Sequence, residues 1–300
     1  MSTTEKDPKA YPRNSEPFYS NAYHRFSRFL SFLASSRIIL SLSGMLLYAL
    51  SSLLCGSPPN PLLLQSAFMV TFAVYTLNLV TDASEDKTNR GEPEKINKQL
   101  VMMSTLAISS AIFFSAFLGI KAVLVISAPF LAGIVYSVKI VPKIPRVKEI
   151  FAATSTIVAV SWGVTSALLP FIQETVQPDK MFIVFLYVFI QIFIGTVLSD
   201  VLDMTGDLKS GINTIPIKLG LPKTKTLLVL MNTVLIPMNL YVWAKHVFAQ
   251  HYLILGFGII YGYFMIFYFC NSKRPRIMYE TVIDGMFIPQ LLLVAVSSIV

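Results

Sequence analysis

The sequence predicts an all-α polytopic membrane protein, nine transmembrane helices in a single bundle. Two observations carry that reading. The 300 residues are 54% apolar and 13% charged, about half the charge of an average soluble domain. Apolar runs of about 20 residues also recur, each long enough to cross a hydrocarbon core roughly 30 Å thick. A third observation orients the bundle: Lys and Arg gather in alternate connectors. β-barrel strands do not fit, because the runs are continuous where barrel strands alternate.

The elements follow in chain order. Residues 1–28 are polar, with Pro8, Pro12 and Pro17, and read as a disordered cytoplasmic tail. Residues 29–300 form the transmembrane domain. The first apolar run begins too late for a signal peptide, and no small-residue cleavage pattern follows it. The expected spans are 34–55, 62–82, 99–119, 121–138, 149–171, 180–202, 224–246, 250–270 and 280–299.

Orientation comes from the basic residues. Five precede the first span. Four lie between spans two and three, including Arg90, and four between four and five (Lys139, Lys143, Arg146, Lys148). Four more lie between six and seven, including Lys209, and three between eight and nine, among them Arg276. The opposite connectors hold only Lys121, Lys180 and Lys245. Cytoplasmic loops carry the Lys/Arg excess. The N-terminus is therefore expected in the cytoplasm, with the protein integral to the cell membrane and the C-terminus on the far side. The same excess explains the net charge of +8, so the surroundings are membrane lipids and no nucleic-acid partner is implied.

Two acidic clusters stand out against this background. Asn78, Asp82 and Asp86 close the second span; Asp200, Asp203 and Asp207 close the sixth. At about 100° per residue, the first three sweep about 80° of a helix face and the second three about 60°. Spans two and six run toward the cytoplasm, so both clusters are expected on the same side. A weak internal repeat relates 82–91 to 203–211. The plain alternative is a set of solvated acids where helices leave the lipid. It is weakened by position, since Asn78 and Asp200 lie against apolar runs, where a charge costs about 2.5–3.5 kcal/mol on the insertion scale. Facing oxygens without His or Cys favour Mg²⁺. Mg²⁺ completes its shell with water and substrate phosphate, which points to a phosphate-bearing substrate at the cytoplasmic interface.

Basic residues near the acids would serve as topology determinants in any membrane protein. Together, Lys139, Arg146, Lys148 and Lys209 can also hold a diphosphate. Lys139 directly follows span four. Arg37 sits within span one, where a lone Arg faces the bundle interior, and Arg90 lies just past the first cluster. Cys55 and Cys270 are expected at opposite membrane levels, too far apart for a disulfide. His24, His246 and His251 are scattered, so a His-based metal site is not expected.

The residues resemble a known family at this point. Asn78-x3-Asp82-x3-Asp86 and Asp200-x2-Asp203-x3-Asp207 are similar to the two signature motifs of the UbiA superfamily of intramembrane prenyltransferases. Tyr136 and Lys139 resemble its tyrosine–lysine signature, and nine helices is its count. The resemblance implies a prenyl diphosphate donor bridged to the acids by two Mg²⁺ ions. It implies catalytic roles for Asp82, Asp203 and Lys139, with Arg37, Arg90, Lys139, Arg146, Lys148 and Lys209 around the diphosphate and Tyr136 on the substrate. The donor's tail would lie in an apolar groove among Phe- and Met-rich spans, and the acceptor would be an aromatic, quinone-type ring or a lipid alcohol. One departure stands out: Asn89 and Arg90 are followed by Gly91, Glu92, Pro93 and Glu94, where many members carry Asn-Arg-Pro and a basic stretch. Two other readings use the same carboxylates: a cation-coupled transporter, and an enzyme that processes the diphosphate without an acceptor. The transporter is disfavoured because both clusters are expected at one interface, not at the midplane.

Overall fold

The computed structural model describes residues 37–81, 98–137, 150–172, 174–175, 177–248, 251–270 and 275–297. Every regular element among them is helical: α1 Ile38–Cys55, α2 Pro61–Thr81, α3 Lys98–Ala116, α4 Ile120–Ser137, α5 Ala153–Leu168 with a 3-10 turn Leu169–Phe171, α6 Pro178–Lys209, α7 Ile215–Ala244, α8 Tyr252–Phe269, α9 Arg276–Val282 and α10 Ile288–Ser297.

Local chemistry sets the first turn. Gly56 takes φ 83°, a left-handed conformation that glycine adopts without a Cβ penalty. Its N–H donates to the Leu53 carbonyl, and the Ser57 N–H to that of Ser52, so the end of α1 is capped. The next helix starts with Pro61 at its first position, where the missing N–H costs nothing. Asn60 Oδ1 accepts from the Leu62 N–H at 2.9 Å, the side-chain cap expected of Asn.

The helices pack as a closed bundle. Contacts run from α1 to α2, from α2 to α3 and α4, then α4 to α5, α5 to α6, α6 to α7 and α8, and through α10 back to α1. Small residues let α2 and α3 approach closely. Ala73 and Ala111 are fully buried, Ser104 Oγ donates to the Ala73 carbonyl at 2.8 Å, and Ser66 Oγ to that of Ala111 at 3.1 Å. The far side of the bundle is held by amides instead. Gln191 Nε2 donates to Asn232 Oδ1 at 3.3 Å, and Asn232 Nδ2 to the Ile259 carbonyl at 2.9 Å. Tyr187 donates to Gln290 Oε1 at 2.7 Å. The outer faces expose large apolar side chains, among them Met102, Leu106 and Phe113 on α3 and Phe117 just after it, the surface that lipid requires.

Seven helices among the described residues are long and apolar enough to cross a membrane. The remaining two expected spans differ. The fourth, α4, counts among the shorter apolar helices, and the ninth is not continuous. It divides into α9 and α10 across 283–287, where Asp284 and Gly285 interrupt the apolar run. The Asp284 carbonyl is satisfied by Ser43 Oγ from α1, which is how broken backbone is tolerated inside a bundle. The seventh span starts earlier than expected, with a turn at 215–219 set off by Gly220 at φ 73°. The sixth is also longer than expected. Its 32 residues reach about 48 Å at 1.5 Å each, well beyond a hydrocarbon core of about 30 Å.

Candidate functional site

The length of α6 positions the site. Because the helix continues unbroken to Lys209, its last turns present Asp200, Asp203 and Asp207 on one face. Asp200 is buried and accepts a hydrogen bond from Ser155 Oγ on α5 at 2.9 Å. Asp207 is buried as well. Asp203 is partly exposed and ion-paired with Arg276 Nη2, contributed by the first residue of α9.

These acids open onto a cavity of about 280 Å³. Asn78, in the last turn of α2, lines the same cavity, as do Tyr136 of α4 and the buried Arg37 at the start of α1. The structure thus brings together Arg37, Asn78, Tyr136, Asp200, Asp203 and Asp207 from widely separated parts of the chain. Lys209 is exposed at the end of α6 and does not line the cavity. Asp82, Asp86, Arg90, Lys139, Arg146 and Lys148 lie outside the described residues.

A second cavity of about 70 Å³ adjoins the first and shares Tyr75, Asn78, Tyr136, Val158 and Trp162 with it. Trp162 Nε1 donates to the Tyr75 hydroxyl at 3.1 Å, and the two rings lie 6.3 Å apart. That pair stands between a polar chamber and an apolar one. Among the described residues, no Phe or Met side chain lines the apolar chamber. Small residues such as Gly44, Ala67, Ala132 and Gly133 open it, and Tyr48 and Leu169 help to line it.

Two wall residues were not singled out from sequence. From sequence, Arg276 is one more cation of the connector between spans eight and nine. Asp284 sits in the break between α9 and α10 and also lines the polar chamber. An acid inside an otherwise apolar run is the signal that could have found it.

The donor set suits a hard cation. No group of three His, Cys, Asp or Glu side chains among the described residues is arranged to hold a metal by itself. Mg²⁺ does not need one, since it binds through one or two carboxylates and takes water and phosphate oxygens for the rest. The oxygens of Asn78, Asp200, Asp203 and Asp207, on the wall of one cavity, are donors of that kind.

Comparison with known proteins follows the same lines. No curated protein sequence matches the chain. Among solved structures, a UbiA homologue from Archaeoglobus fulgidus bound to DMAPP and Mg²⁺ superposes with a TM-score of 0.64 at 18% identity, covering 88% of this chain and 98% of that one. An apo UbiA homologue from Aeropyrum pernix K1 gives 0.66 at 11% identity, covering 85% and 98%. A digeranylgeranylglyceryl phosphate synthase gives 0.58 at 17% identity, covering 90% and 97%. These likenesses establish a shared fold. The profile of the UbiA prenyltransferase family matches residues 36–288, most of the chain, and the protein belongs to that family.

Proposed function

We propose that this protein transfers a prenyl group from an allylic isoprenyl diphosphate to an acceptor within the membrane, releasing diphosphate. The acceptor class is a quinone-type aromatic ring or a lipid alcohol. The observation that carries the reading is the shared cavity. Asn78 and the three aspartates of α6 face one chamber that also receives Arg37 and Arg276 and continues past Tyr75 and Trp162 into an apolar branch. A charged head with an apolar tail fits that shape. Solved UbiA homologues bound to DMAPP or GPP with Mg²⁺ share the fold, which supports the choice of donor.

Asn78, Asp200, Asp203 and Asp207, joined by Asp82 and Asp86, would hold Mg²⁺, two ions by the family pattern. When bound, Mg²⁺ supplies electrostatic stabilisation of the charge that builds on the departing diphosphate. Arg37 adds a positive charge on the wall of the same chamber, and Arg90, Lys139, Arg146 and Lys148 are proposed to close around the diphosphate from outside the described residues. Ser155 fixes the Asp200 carboxylate, so that one oxygen is oriented before any ligand arrives. Tyr75, Tyr136 and Trp162 line the passage between the head and the tail and would keep water from the allylic carbon once its bond to the diphosphate oxygen breaks. The electron pair leaves with the diphosphate, and the acceptor's nucleophilic atom then bonds to that carbon and loses its proton. The site is proposed to open at the cytoplasmic face of the cell membrane.

Purified protein in nanodiscs, supplied with geranyl diphosphate and a panel of aromatic and lipid-alcohol acceptors, should release diphosphate in a Mg²⁺-dependent way. Asp82→Ala and Asp203→Ala should abolish that release while the protein still inserts. Turnover unchanged in both variants would sink the assignment.

A further inference from the structure

The ion pair between Arg276 and Asp203 sits inside the chamber that the donor would occupy. We infer that Arg276 is a donor-dependent switch. It neutralises Asp203 while no diphosphate is present, then moves onto the diphosphate and releases Asp203 for Mg²⁺. The inference rests on the prenyl-transfer reading above and deepens it.

Four observations carry it. Arg276 and Asp203 both line the polar chamber, and their side chains are 25% and 24% exposed, so both are open to its contents. The pair joins residues 73 positions apart, on α9 and α6, and a pair of that kind reports tertiary placement. The anchor of α9 lies elsewhere: Tyr279 is buried, donates to the Phe269 carbonyl at 3.2 Å and packs its ring 4.5 Å from that of Phe269. The backbone of α9 is therefore held independently of the ion pair, and a change of partner at Arg276 need not displace the helix. Finally, Asp200 and Asp207 lie on the same helix face as Asp203, so the acid cluster without ligand carries mutual repulsion that a cation relieves.

The chemistry makes the two roles exclusive. Mg²⁺ demands near-octahedral oxygen geometry at about 2.0–2.1 Å, and a guanidinium bonded to the same carboxylate competes for its lone pairs and repels the ion. A diphosphate offers the better partner, because the planar fork of Arg matches phosphate oxygens bidentately. Arrival of the donor draws Arg276 away just as it brings oxygens for the metal. Metal and donor then favour one another, and thermodynamic linkage makes that effect reciprocal. The chamber binds metal weakly until the donor is present.

The test separates two affinities. Mn²⁺ binding without donor is read from loss of the free-ion EPR signal. Geranyl diphosphate binding with Mg²⁺ and no acceptor is read from quenching of Trp162, in a Trp243→Phe background that removes the other of the chain's 2 Trp residues. Arg276→Gln should bind Mn²⁺ alone about 3- to 5-fold more tightly, the gain from losing a partly exposed ion pair. It should bind geranyl diphosphate about 10- to 100-fold more weakly, the loss of charge-assisted hydrogen bonds. Arg276→Lys, which keeps the charge and guards against a folding defect in the Gln variant, should bind Mn²⁺ as the parent does and geranyl diphosphate more weakly. A merely structural pair would weaken both affinities together, and that outcome overturns the inference. So does an unchanged affinity for either ligand in Arg276→Gln. If the parent protein itself fails to bind geranyl diphosphate with Mg²⁺, the prenyl-transfer reading falls first and the switch falls with it.

Discussion

The two chambers share five wall residues yet are built by opposite means. The larger, of about 280 Å³, takes its charged and amide groups from helix ends and a helix break: the last turns of α2 and α6, the starts of α1 and α9 and the 283–287 interruption. The smaller, of about 70 Å³, is lined mostly from helix middles, where small residues such as Gly44, Ala67, Ala132 and Gly133 leave space. Helix ends can present carboxylates and guanidinium groups because water and ions reach them. Helix middles inside lipid cannot, and offer only shape. The difference teaches that, on the prenyl-transfer reading proposed above, head and tail of an amphipathic substrate would be recognised by separate physics, charge in one place and excluded volume in the other.

The comparison breaks most visibly through charge. Asp200→Ala removes an oriented oxygen and orphans Ser155 Oγ. Turnover should fall by at least about 10²–10³-fold, the loss typical of one preorganised electrostatic group, as measured by diphosphate release. A drop of only a few-fold would mean that Asp200 merely fills space.

Shape should act on preference more than on rate. A Cβ on Gly44 would sit 2.2 Å from Thr71 Oγ1 and 3.1 Å from the Trp162 ring. Gly44→Val should therefore constrict the apolar branch. The ratio of kcat/KM for dimethylallyl over geranyl diphosphate should rise about tenfold or more, since small size differences in apolar pockets discriminate by about 10–200-fold. An unchanged ratio would place the tail elsewhere.

Two milder substitutions mark the edges of the site. Asn232→Leu lies outside both chambers and removes hydrogen bonds to Gln191 and to the Ile259 carbonyl. It should cost about 1–2 kcal/mol of stability, seen as a lower Tm, with Mn²⁺ affinity unmoved. Lys209→Ala, at an exposed position off the cavity wall, should change the KM for the donor by less than about threefold, within the range of a screened surface charge. A large change would extend the polar chamber past the end of α6.

Much of this was legible without coordinates. Apolar runs located the helices, because a lipid-embedded backbone must satisfy its own hydrogen bonds and so forms helices. The spacing of Asp200, Asp203 and Asp207 placed them on one face, because 3- and 4-residue steps return to the same side of any helix. Membership of the UbiA prenyltransferase family was readable from the same motifs. Other features were out of reach. Arg276 read as one more loop cation, since nothing local to it signals a carboxylate 73 residues away. Trp162 gave no sign of Tyr75, which lies 87 residues from it. The last span read as continuous because its mean apolar character hides the single Asp284 at which it breaks.

The sequence by itself determined the solvent, the helices and the chemistry of the donor atoms, because each follows from side-chain type and local period. Only the tertiary structure decided that Asn78 shares a chamber with the α6 aspartates, that an apolar branch opens where Gly44 leaves space, and that Arg276 lies against Asp203. Those facts depend on how distant helices approach one another, and close packing between helix faces has no counterpart in the order of residues along the chain.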